Sequence, residues 1–389
     1  MANAKTINAI NISRVLRYLW HNPAKSRTEI AESLGLDKST ITKIISVLEA
    51  QNLIVAVSEG TSGPKGGRKP IFLSINPEFG VVMGIEIHTT TFTAVLVDLG
   101  GNIVYSKDDK LADGEGLNAV LIKTIQSVLR DAKDRNLRVL GIGIGLSGLI
   151  NPYKGLIIRS NPLDITEPVS IRSDLEKYFE MPVFIENDAN CCCWADLTFN
   201  RGEKTGNAMF ILSEFRQTST HKLPYQGVAI GMGYIINNRV IHGDSFSTGE
   251  FKSILWKHPN NSQFSITDEE IKKIPDPNVL EAVILELAVH VAFIVNNIDI
   301  RRIVICGELE KYKEDMEKVF LREIQHNWTY PNQTHAVIEM SPMREKTVAY
   351  GAAGFFIEHL FRVPEISPTE DNLPAGIELF EPMFKEKEE

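Results

Sequence analysis

Hydrophobic positions recur with helical spacing across residues 27–50 and predict two short helices joined by a tight turn. In the second helix, four apolar residues share one face: Ile41, Ile44, Ile45 and Leu48. The opposite face carries short hydroxyl and cationic side chains: Lys38, Ser39, Thr40, Thr42, Lys43 and Ser46. Side chains of these types contact base edges and phosphates in the major groove of DNA. We therefore interpret residues 38–49 as the recognition helix of a helix-turn-helix.

The flanking residues extend this motif to a winged helix. Residues 6–20 form a further amphipathic pattern, and residues 54–75 contain two β-rich segments on either side of a glycine-rich tip. The tip carries three cations and no acidic residue: Lys65, Arg68 and Lys69. We predict that residues 1–78 form a winged helix-turn-helix that binds double-stranded DNA. The alternative is an ordinary helical hairpin, because amphipathic helix pairs are common.

After residue 80 the pattern changes to β-rich segments separated by helices. Residues 81–110 are β-rich, residues 115–136 have helical period, and residues 139–151 form a buried strand. This order predicts an α/β fold in which a helix covers a mixed sheet. A second β-rich unit begins near residue 207. The last 28 residues are rich in Pro and Glu, and we expect a strand-like arm or disorder there.

Charge is distributed unevenly between these two parts. The chain of 389 residues has a formal charge of −9, which alone argues against a nucleic-acid partner. Residues 1–80, however, hold ten basic and six acidic residues, a net of +4, whereas the remainder holds 31 and 44, a net of −13. A basic head on an acidic body attracts phosphate at one end only.

The four cysteines indicate a reducing compartment. Three are adjacent, at 191–193, and none stands in a CxxC pair, so a disulfide framework is excluded. We expect these thiols to fill core positions as small apolar residues. No apolar run approaches the length of a membrane span, and the first residues lack the apolar core of a signal peptide. We therefore expect a cytoplasmic protein without a membrane partner.

Three segments of the body carry a resemblance to a known family. They are GLSGLIN at 145–151, ENDAN at 186–190 and GMGYIINNRVIHG at 231–243. With the basic turn at 67–70, they resemble the ROK family of sugar-responsive repressors and sugar kinases over residues 8–361. The resemblance implies a body of two actin-like (ribonuclease H-like) lobes with a sugar cleft between them.

The resemblance also implies domain boundaries. The first α/β lobe would span residues 79–198 and would be completed by a helix at 346–361. The second lobe, which would carry the dimer contact, would span residues 199–345. Residues 362–389 would form a C-terminal tail.

The resemblance places sugar-binding groups at six positions of this chain: Ser147, Gly148, Asn161, Asn187, Asp188 and Glu250. Asp188 matches the base that deprotonates a sugar hydroxyl in the kinases of the family. A polyol needs such a lining, because each buried hydroxyl has to be paired. A second sugar-binding Glu of the family can be placed only by position, at Glu269 or Glu270.

The nucleotide and zinc motifs of the family are altered here. The first phosphate loop holds Glu86 and His88. His88 replaces a glycine that, in the family, lets the backbone approach the phosphate. Glu214 stands in the second phosphate stretch and Glu308 beside the adenosine-side glycine. Ser253 replaces a His of the zinc motif, and no Cys lies between 194 and 305. We therefore expect no catalytic residue, no cofactor and no metal.

Together these patterns predict a DNA-binding transcriptional regulator, a repressor of carbohydrate metabolism that senses a sugar in the cleft. It would bind its operator as a homodimer or a dimer of dimers. Two alternatives stay open: an ATP-dependent sugar kinase with a DNA-binding head, and a regulator with a degenerate sensor that answers to a protein partner. The histidines without metal-like spacing are expected to be surface or satisfied residues: His88, His221, His242 and His258.

Overall fold

The N-terminal part folds into a winged helix, as predicted. The computed structural model describes residues 4–60, 69–88, 90–111, 116–200, 206–216, 227–332, 335–365 and 373–385. The head contains three helices and three strands: α1 (Ala4–His21), β1 (Lys25–Ser26), α2 (Arg27–Leu34), α3 (Lys38–Ala50), β2 (Ile54–Glu59) and β3 (Ile71–Ile75). The strands form an antiparallel sheet in the order β1-β3-β2. The predicted tip residues Lys65 and Arg68 lie outside the described residues.

Local sequence fixes the turn between α2 and α3. Ser26 and Glu29 form a reciprocal capping box that begins α2. Gly35 ends α2 at a φ of 63°, a left-handed conformation that glycine adopts at low cost. The four residues of the predicted apolar face of α3 are buried, and each is at most 4% exposed: Ile41, Ile44, Ile45 and Leu48.

The first lobe is built on a five-stranded mixed sheet. Its elements are β4 (Val81–Ile87), β5 (Thr91–Asp98), β6 (Ile103–Lys110), α4 (Leu117–Asp134), β7 (Val139–Leu146), β8 (Leu149–Asn151), β9 (Leu156–Arg159), β10 (Val169–Ser170), α5 (Arg172–Phe179), β11 (Val183–Asn187) and α6 (Asp188–Phe199). The large sheet has the order β11-β7-β4-β5-β6, and β8 to β10 form a small separate sheet. Because β4, β7 and β11 run parallel, their carboxyl ends meet at one edge.

The second lobe repeats a five-stranded sheet. Its elements are β12 (Ala208–Arg216), β13 (Gly227–Ile236), β14 (Arg239–Val240), α7 (Asp268–Ile271), α8 (Pro277–Ile298), β15 (Arg302–Gly307), α9 (Lys313–His326) and β16 (Val337–Met340). The order is β14-β13-β12-β15-β16. Apolar residues of α8 and α9 share one buried core with this sheet.

Two helices fill the space between the sheets. They are α6 and α10 (Thr347–Phe361). They pack so closely that a Cβ added at Gly351 would lie 1.7 Å from the carbonyl oxygen of Cys191. All four cysteines are buried in this region, and burial raises the pKa of the Cys191 and Cys193 thiols. The cysteines therefore act as small core residues, as the sequence indicated.

One expectation about apolar segments is wrong. By length and composition α8 could cross a membrane, although the sequence was expected to hold no run of that size. Within the described residues it is the single helix that meets this test, and 56% of its most apolar window is buried inside the protein. A core helix of a folded domain shows the same combination, so one such helix is weak evidence for a span.

The expectation of an arm or disorder near the end of the chain is also wrong for residues 377–385. They form α11 (Ile377–Lys385), and its Phe380 is fully buried. The backbone N–H of Ile377 donates to Ser13 Oγ of α1 over 3.0 Å. Apolar residues recur at helical spacing in this segment. It therefore folds as a helix that covers an apolar surface, in spite of its Pro and Glu content.

The head and the body share one apolar core. Trp20 at the end of α1 stacks on Phe361 at the end of α10, with ring centroids 4.4 Å apart. Phe380 of α11 packs against both Phe361 and Phe79, the latter in the segment that joins head to body. An ion pair of 2.8 Å between Arg17 and Glu358 borders this contact. The winged helix is therefore packed onto the body and is not simply tethered to it.

His359 lies beneath this junction as a buried neutral base. Its Nδ1 donates to the carbonyl of Phe355 over 2.9 Å, whereas its Nε2 has no partner among the described residues. Aromatic rings of Phe184, Trp194 and Phe355 meet the imidazole edge-on. Burial lowers the pKa of His359 from 6.5 to about 4.

We predict that His359→Leu reduces the loss of stability on acidification. Between pH 6.5 and about 4 the unfolded chain binds a proton at His359 that the folded chain does not bind, so unfolding becomes easier as pH falls. The depressed pKa corresponds to roughly 3 kcal/mol across that window. Urea unfolding of both proteins at a series of pH values measures the difference, with exposed His326→Gln as control. Equal pH slopes for wild type and His359→Leu would contradict the prediction.

Candidate functional site

The outer face of α3 presents the residues predicted to contact DNA. Five of them are exposed and one, Thr40, is half-buried; the exposed residues are Lys38, Ser39, Thr42, Lys43 and Ser46. The Thr42 hydroxyl donates to the carbonyl of Lys38 over 2.7 Å, and Ser46 donates to that of Thr42 over 2.8 Å. Their oxygens thus face outward mainly as hydrogen-bond acceptors. Lys69, the predicted wing cation within the described residues, is exposed.

An ion pair joins α2 to α3. The guanidinium of Arg27 at the start of α2 donates from Nη2 to both carboxylate oxygens of Glu49, at 3.0 and 2.8 Å. Arg14 of α1 donates to the carbonyl of Leu34 over 2.7 Å. Side chains therefore cross-link the three helices.

A second candidate site is a cleft of about 750 Å³ between the two lobes. All six residues that the sequence suggested for sugar binding line it: Ser147, Gly148, Asn161, Asn187, Asp188 and Glu250. They come from the ends of β7 and β11, from the loop after β9 and from the segment after β14. β7 and β11 are parallel neighbours in which Leu146 pairs with Asn187, so the residues that follow each strand lie side by side.

Asp188 is the central acid of this cleft. The hydroxyl of Ser147 donates to its Oδ2 over 2.5 Å, and the backbone N–H of Ala189 donates to its Oδ1 over 2.8 Å. Burial raises the pKa of Asp188, and these two hydrogen bonds oppose the rise without cancelling it. The carboxylate is held in one orientation at the first turn of α6, where a ligand hydroxyl could meet it.

The neighbouring loop residues are constrained by backbone contacts. Asn187 donates from Nδ2 to the carbonyl of Gly148 over 3.0 Å, and its Oδ1 accepts the N–H of Asn190 as the cap of α6. Its amide therefore has one N–H and one lone pair of Oδ1 left for a ligand. Gly148 has a φ of 119°, and a Cβ there would lie 2.5 Å from the carbonyl oxygen of Arg159. Asn161 is exposed.

The glycine that precedes Glu250 lets this residue approach β13 and line the cleft. A Cβ at Gly249 would lie 1.7 Å from the carbonyl oxygen of Met232, so only glycine permits this approach to β13. The backbone of Glu250 then forms a bridge to Gly231 beside the cleft. The positional alternatives Glu269 and Glu270 are wrong: neither lines the cleft. Glu270 instead caps α7 through Thr267.

Several other lining residues escaped the sequence analysis. They are polar or charged residues from four segments: Arg159, Asp164, Thr166, Glu214, Arg216, Ser247, Thr248, Asn261 and Gln263. Arg216 donates to Glu214 over 2.8 Å, so part of the negative charge of the cleft wall is neutralised. The Gln263 amide bridges the backbone of Ile230 and Phe251. No local motif marks these residues, because they meet only through the packing of distant segments.

Carboxylates surround the place where the resemblance to the family would put the phosphate loops. Glu86 is buried, and its Oε1 lies 3.3 Å from Nε2 of His88, whose Nδ1 is 3.9 Å from Glu214. Burial, and then the charges of Asp188 and Glu214, raise the pKa of Glu86 well above its usual value. Glu308 accepts the backbone N–H of Phe215. These acids would repel a triphosphate and already occupy nearby backbone donors.

Hydrogen bonds organise the loop where the family motif would carry zinc. Within the described residues, no group of three or more His, Cys, Asp or Glu side chains is arranged to hold a metal ion. The amide of Asn260 donates to three successive carbonyls, at 264, 265 and 266. Asp268 accepts the N–H groups of Asn261 and Ser262, and Glu286 accepts that of Ser265. The loop is thus cross-linked by side chains alone.

A buried ion pair at the base of the cleft was missed from the sequence. His242 donates from Nε2 to Glu186 over 2.7 Å, with the carboxylate fully buried and the imidazole 10% exposed. His242 was expected to be a surface or satisfied residue, and its ion pair with Glu186 satisfies it. It also lines a second cavity of about 830 Å³, bordered by Tyr153, Arg362 and Ala375.

These features define a class: a winged-helix head on a two-lobed α/β body with a polar interlobe cleft. Residues 82–257 match the ROK family, and residues 13–63 match the MarR family. The chain therefore contains a ROK family domain behind an N-terminal helix-turn-helix of the MarR type.

Similar curated proteins include repressors and a kinase. The xylose repressor of Bacillus subtilis (strain 168) is 27% identical over 252 residues, 64% of this chain and 61% of that protein. A xylose repressor of Caldicellulosiruptor bescii is 26% identical over 253 residues, 64% of this chain and 59% of that protein. A beta-glucoside kinase of Listeria monocytogenes is 24% identical over 178 residues, 46% of this chain and 54% of the kinase. The chain thus spans about three-fifths of the length of these repressors.

Solved structures share the fold. A ROK family transcriptional regulator, a homologue of the E. coli MLC protein, superposes with a TM-score of 0.71 at 18% identity, covering 92% of this chain and 97% of that one. A ROK family glucokinase from Streptomyces griseus gives 0.54 at 17% identity, covering 71% and 99%. A match that covers 92% of this chain includes most of its winged helix.

Proposed function

We propose that this protein is a transcriptional repressor of carbohydrate metabolism that binds DNA through its head and a sugar or sugar derivative through its interlobe cleft. The observation that carries the proposal is the convergence of five polar residues and Gly148 from separate segments in one cleft, in a body that shares an apolar core with the winged helix. The similarity to xylose repressors supports a sugar, with a pentose as the first choice. Its work on DNA would place it in the cytoplasm.

A kinase function is disfavoured by the charge of the nucleotide side. Phosphoryl transfer depends on positioning a triphosphate among cations and backbone N–H groups. Here Glu86, Glu214 and Glu308 stand at that place, and Glu308 already accepts a backbone N–H. Asp188, which matches the kinase base, would instead accept a hydrogen bond from the ligand. The proposed body is therefore a sensor without catalysis.

The domain boundaries expected from the sequence are kept in this proposal. Residues 1–78 would recognise DNA, 79–198 with 346–361 would form the first lobe, and 199–345 would form the second lobe. Within 362–389, α11 ties the tail to the head. A sugar that closes the lobes would change the presentation of the head, provided it binds the two states with different affinity.

A second copy of the chain is the proposed occupant of the outer face of α8. Leu285, Val289 and Phe293 recur every four residues on this face and are 36, 43 and 62% exposed. Ile254, 82% exposed, lies beside Phe293 at a cavity of about 700 Å³. A symmetric pair through this face would supply the two recognition helices that a palindromic operator requires.

We predict that a pentose or related sugar raises the melting midpoint of the protein and that Asp188→Ala abolishes the rise. Ligand at about 100 times its Kd would stabilise the folded form by about 2.7 kcal/mol. Thermal scans against pentoses, hexoses, polyols and sugar phosphates test this, with the exposed Asp109→Ala as a matched control. If wild type responds to no sugar yet still binds DNA, the sensor part fails and a protein partner becomes the better explanation.

We predict that Lys43→Ala weakens operator binding about tenfold and lowers the salt dependence by about one counterion per head, because one phosphate contact is lost. Operator duplexes can be selected from random DNA with the wild-type protein and then titrated by fluorescence anisotropy. Lys318→Ala, an equally exposed cation on α9, should bind as wild type does. Unchanged affinity of Lys43→Ala would place the DNA surface elsewhere.

We predict that Phe293→Glu converts the dimer to monomer and weakens operator binding. A charge buried in an apolar interface of standard size, roughly 800 Å² per partner, has no compensating partner there. Sedimentation velocity measures the change. Val104→Glu, which charges an exposed apolar residue on β6, should leave the assembly intact. A dimer that survives Phe293→Glu would remove this face from the proposal.

A further inference from the structure

Glu186 is a buried carboxylate with four hydrogen-bond donors around it. Three donors belong to the first lobe: the N–H of Asn187 at 2.8 Å, Asn190 Nδ2 at 3.3 Å and Trp194 Nε1 at 3.1 Å. The fourth, Nε2 of His242 at 2.7 Å, comes from the second lobe, just after β14. The carboxylate therefore links the two lobes at the base of the cleft.

His242 is itself held by rings from both lobes. Tyr153, in the turn between β8 and β9, meets the imidazole edge-on with centroids 5.7 Å apart. Phe246, on the second lobe, meets it at 6.4 Å, and the two aromatic rings lie 6.1 Å from each other. These contacts limit rotation of the imidazole, so its Nε2 stays aimed at Glu186.

Charge strengthens the link. Burial lowers the pKa of His242, but the negative charge and hydrogen bond of Glu186 outweigh burial and raise it. Burial raises the pKa of Glu186, and His242, the N–H of Asn187 and Trp194 together hold it below its usual value. Each charged form thus depends on the other, and removal of one partner would leave a buried charge uncompensated.

We infer that His242 is a positioning residue of the sugar cleft, acting through Glu186 on the first turn of α6. Glu186 accepts the backbone N–H of Asn187 and the side chain of Asn190, and Asn187 in turn caps the N–H of Asn190. A carboxylate that loses His242 turns toward its remaining donors and displaces this cap. Asp188, which occupies the same turn, then loses its alignment with Ser147.

The link also senses the separation of the lobes. Opening of the cleft would draw His242 away from Glu186, so the closed state alone would keep all four donors and the opposite charge on the buried carboxylate. A ligand that favours closure and the ion pair therefore strengthen each other, and the coupling is reciprocal. This part of the inference rests on the proposed sugar function, whereas the positioning of α6 does not require a ligand.

The test uses His242→Gln, Glu186→Gln and the double variant in the full chain. Glutamine at 242 keeps a donor but loses the charge, and the double variant shows whether the effect of that change depends on the Glu186 carboxylate. Hydrogen–deuterium exchange of the Ala189 and Asn190 amides reports the cap of α6 without any ligand. We expect about tenfold faster exchange in His242→Gln, as for loss of one hydrogen bond to a charged group, and no further increase when His242→Gln is added to Glu186→Gln.

Two controls separate positioning from general destabilisation. His326→Gln should exchange as wild type does, and amides of β15 in His242→Gln should remain protected. Unchanged exchange at α6 in His242→Gln, or an equal fold increase when His242→Gln is added to Glu186→Gln, would overturn the inference. Faster exchange throughout the chain would overturn it too, because His242 would then be an ordinary stabilising residue.

Calorimetric titration with D-xylose adds the ligand arm. If wild type binds D-xylose, we expect a Kd about tenfold higher in His242→Gln and no further rise when this change is added to Glu186→Gln. Equal affinities for wild type and His242→Gln would overturn the positioning role. If wild type does not bind D-xylose, that choice of pentose fails, and the exchange experiment alone decides the role of His242.

Discussion

The packing of α10 is the constraint on which the rest of the structure depends. This helix lies against the first sheet, against α6 and, through its last residue, against the winged helix. Small residues such as Gly351 bring it within backbone contact of Cys191, and Phe361 then stacks on Trp20. Interiors of this density have few alternative arrangements, so α10 holds the head and the first lobe in one packed arrangement.

The body keeps the architecture of a sugar kinase while the charge of its nucleotide side is reversed. Asp188 still stands at the first turn of α6, where Ser147 fixes its carboxylate. Opposite it, Glu86 and Glu214 meet around His88 instead of around phosphate. Hydrogen bonds from Asn260 support the neighbouring loop. One fold can thus carry different residues at the edge of the same cleft.

Much of this architecture could be predicted from the sequence because it depends on local pattern. The face formed by Ile41 and Leu48 marks α3, and the strand that ends at Asn187 puts Asp188 at the edge of a parallel sheet. The contact of His242 with Glu186 spans 56 residues and follows no periodicity. The packing of α11 on α1 likewise depends on a surface that exists only after the body has folded.

That last contact has a consequence for biosynthesis. The hydrogen bond between Ser13 and Ile377 joins residues 364 positions apart, and Phe380 completes the apolar core around Trp20 and Phe361. A growing chain leaves the ribosome from its N-terminus, so α1 is exposed throughout nearly all of translation before its cover is made. Fragments released early would carry a recognition helix on an unfinished head. The shared core around Trp20 is therefore complete only in chains translated through α11.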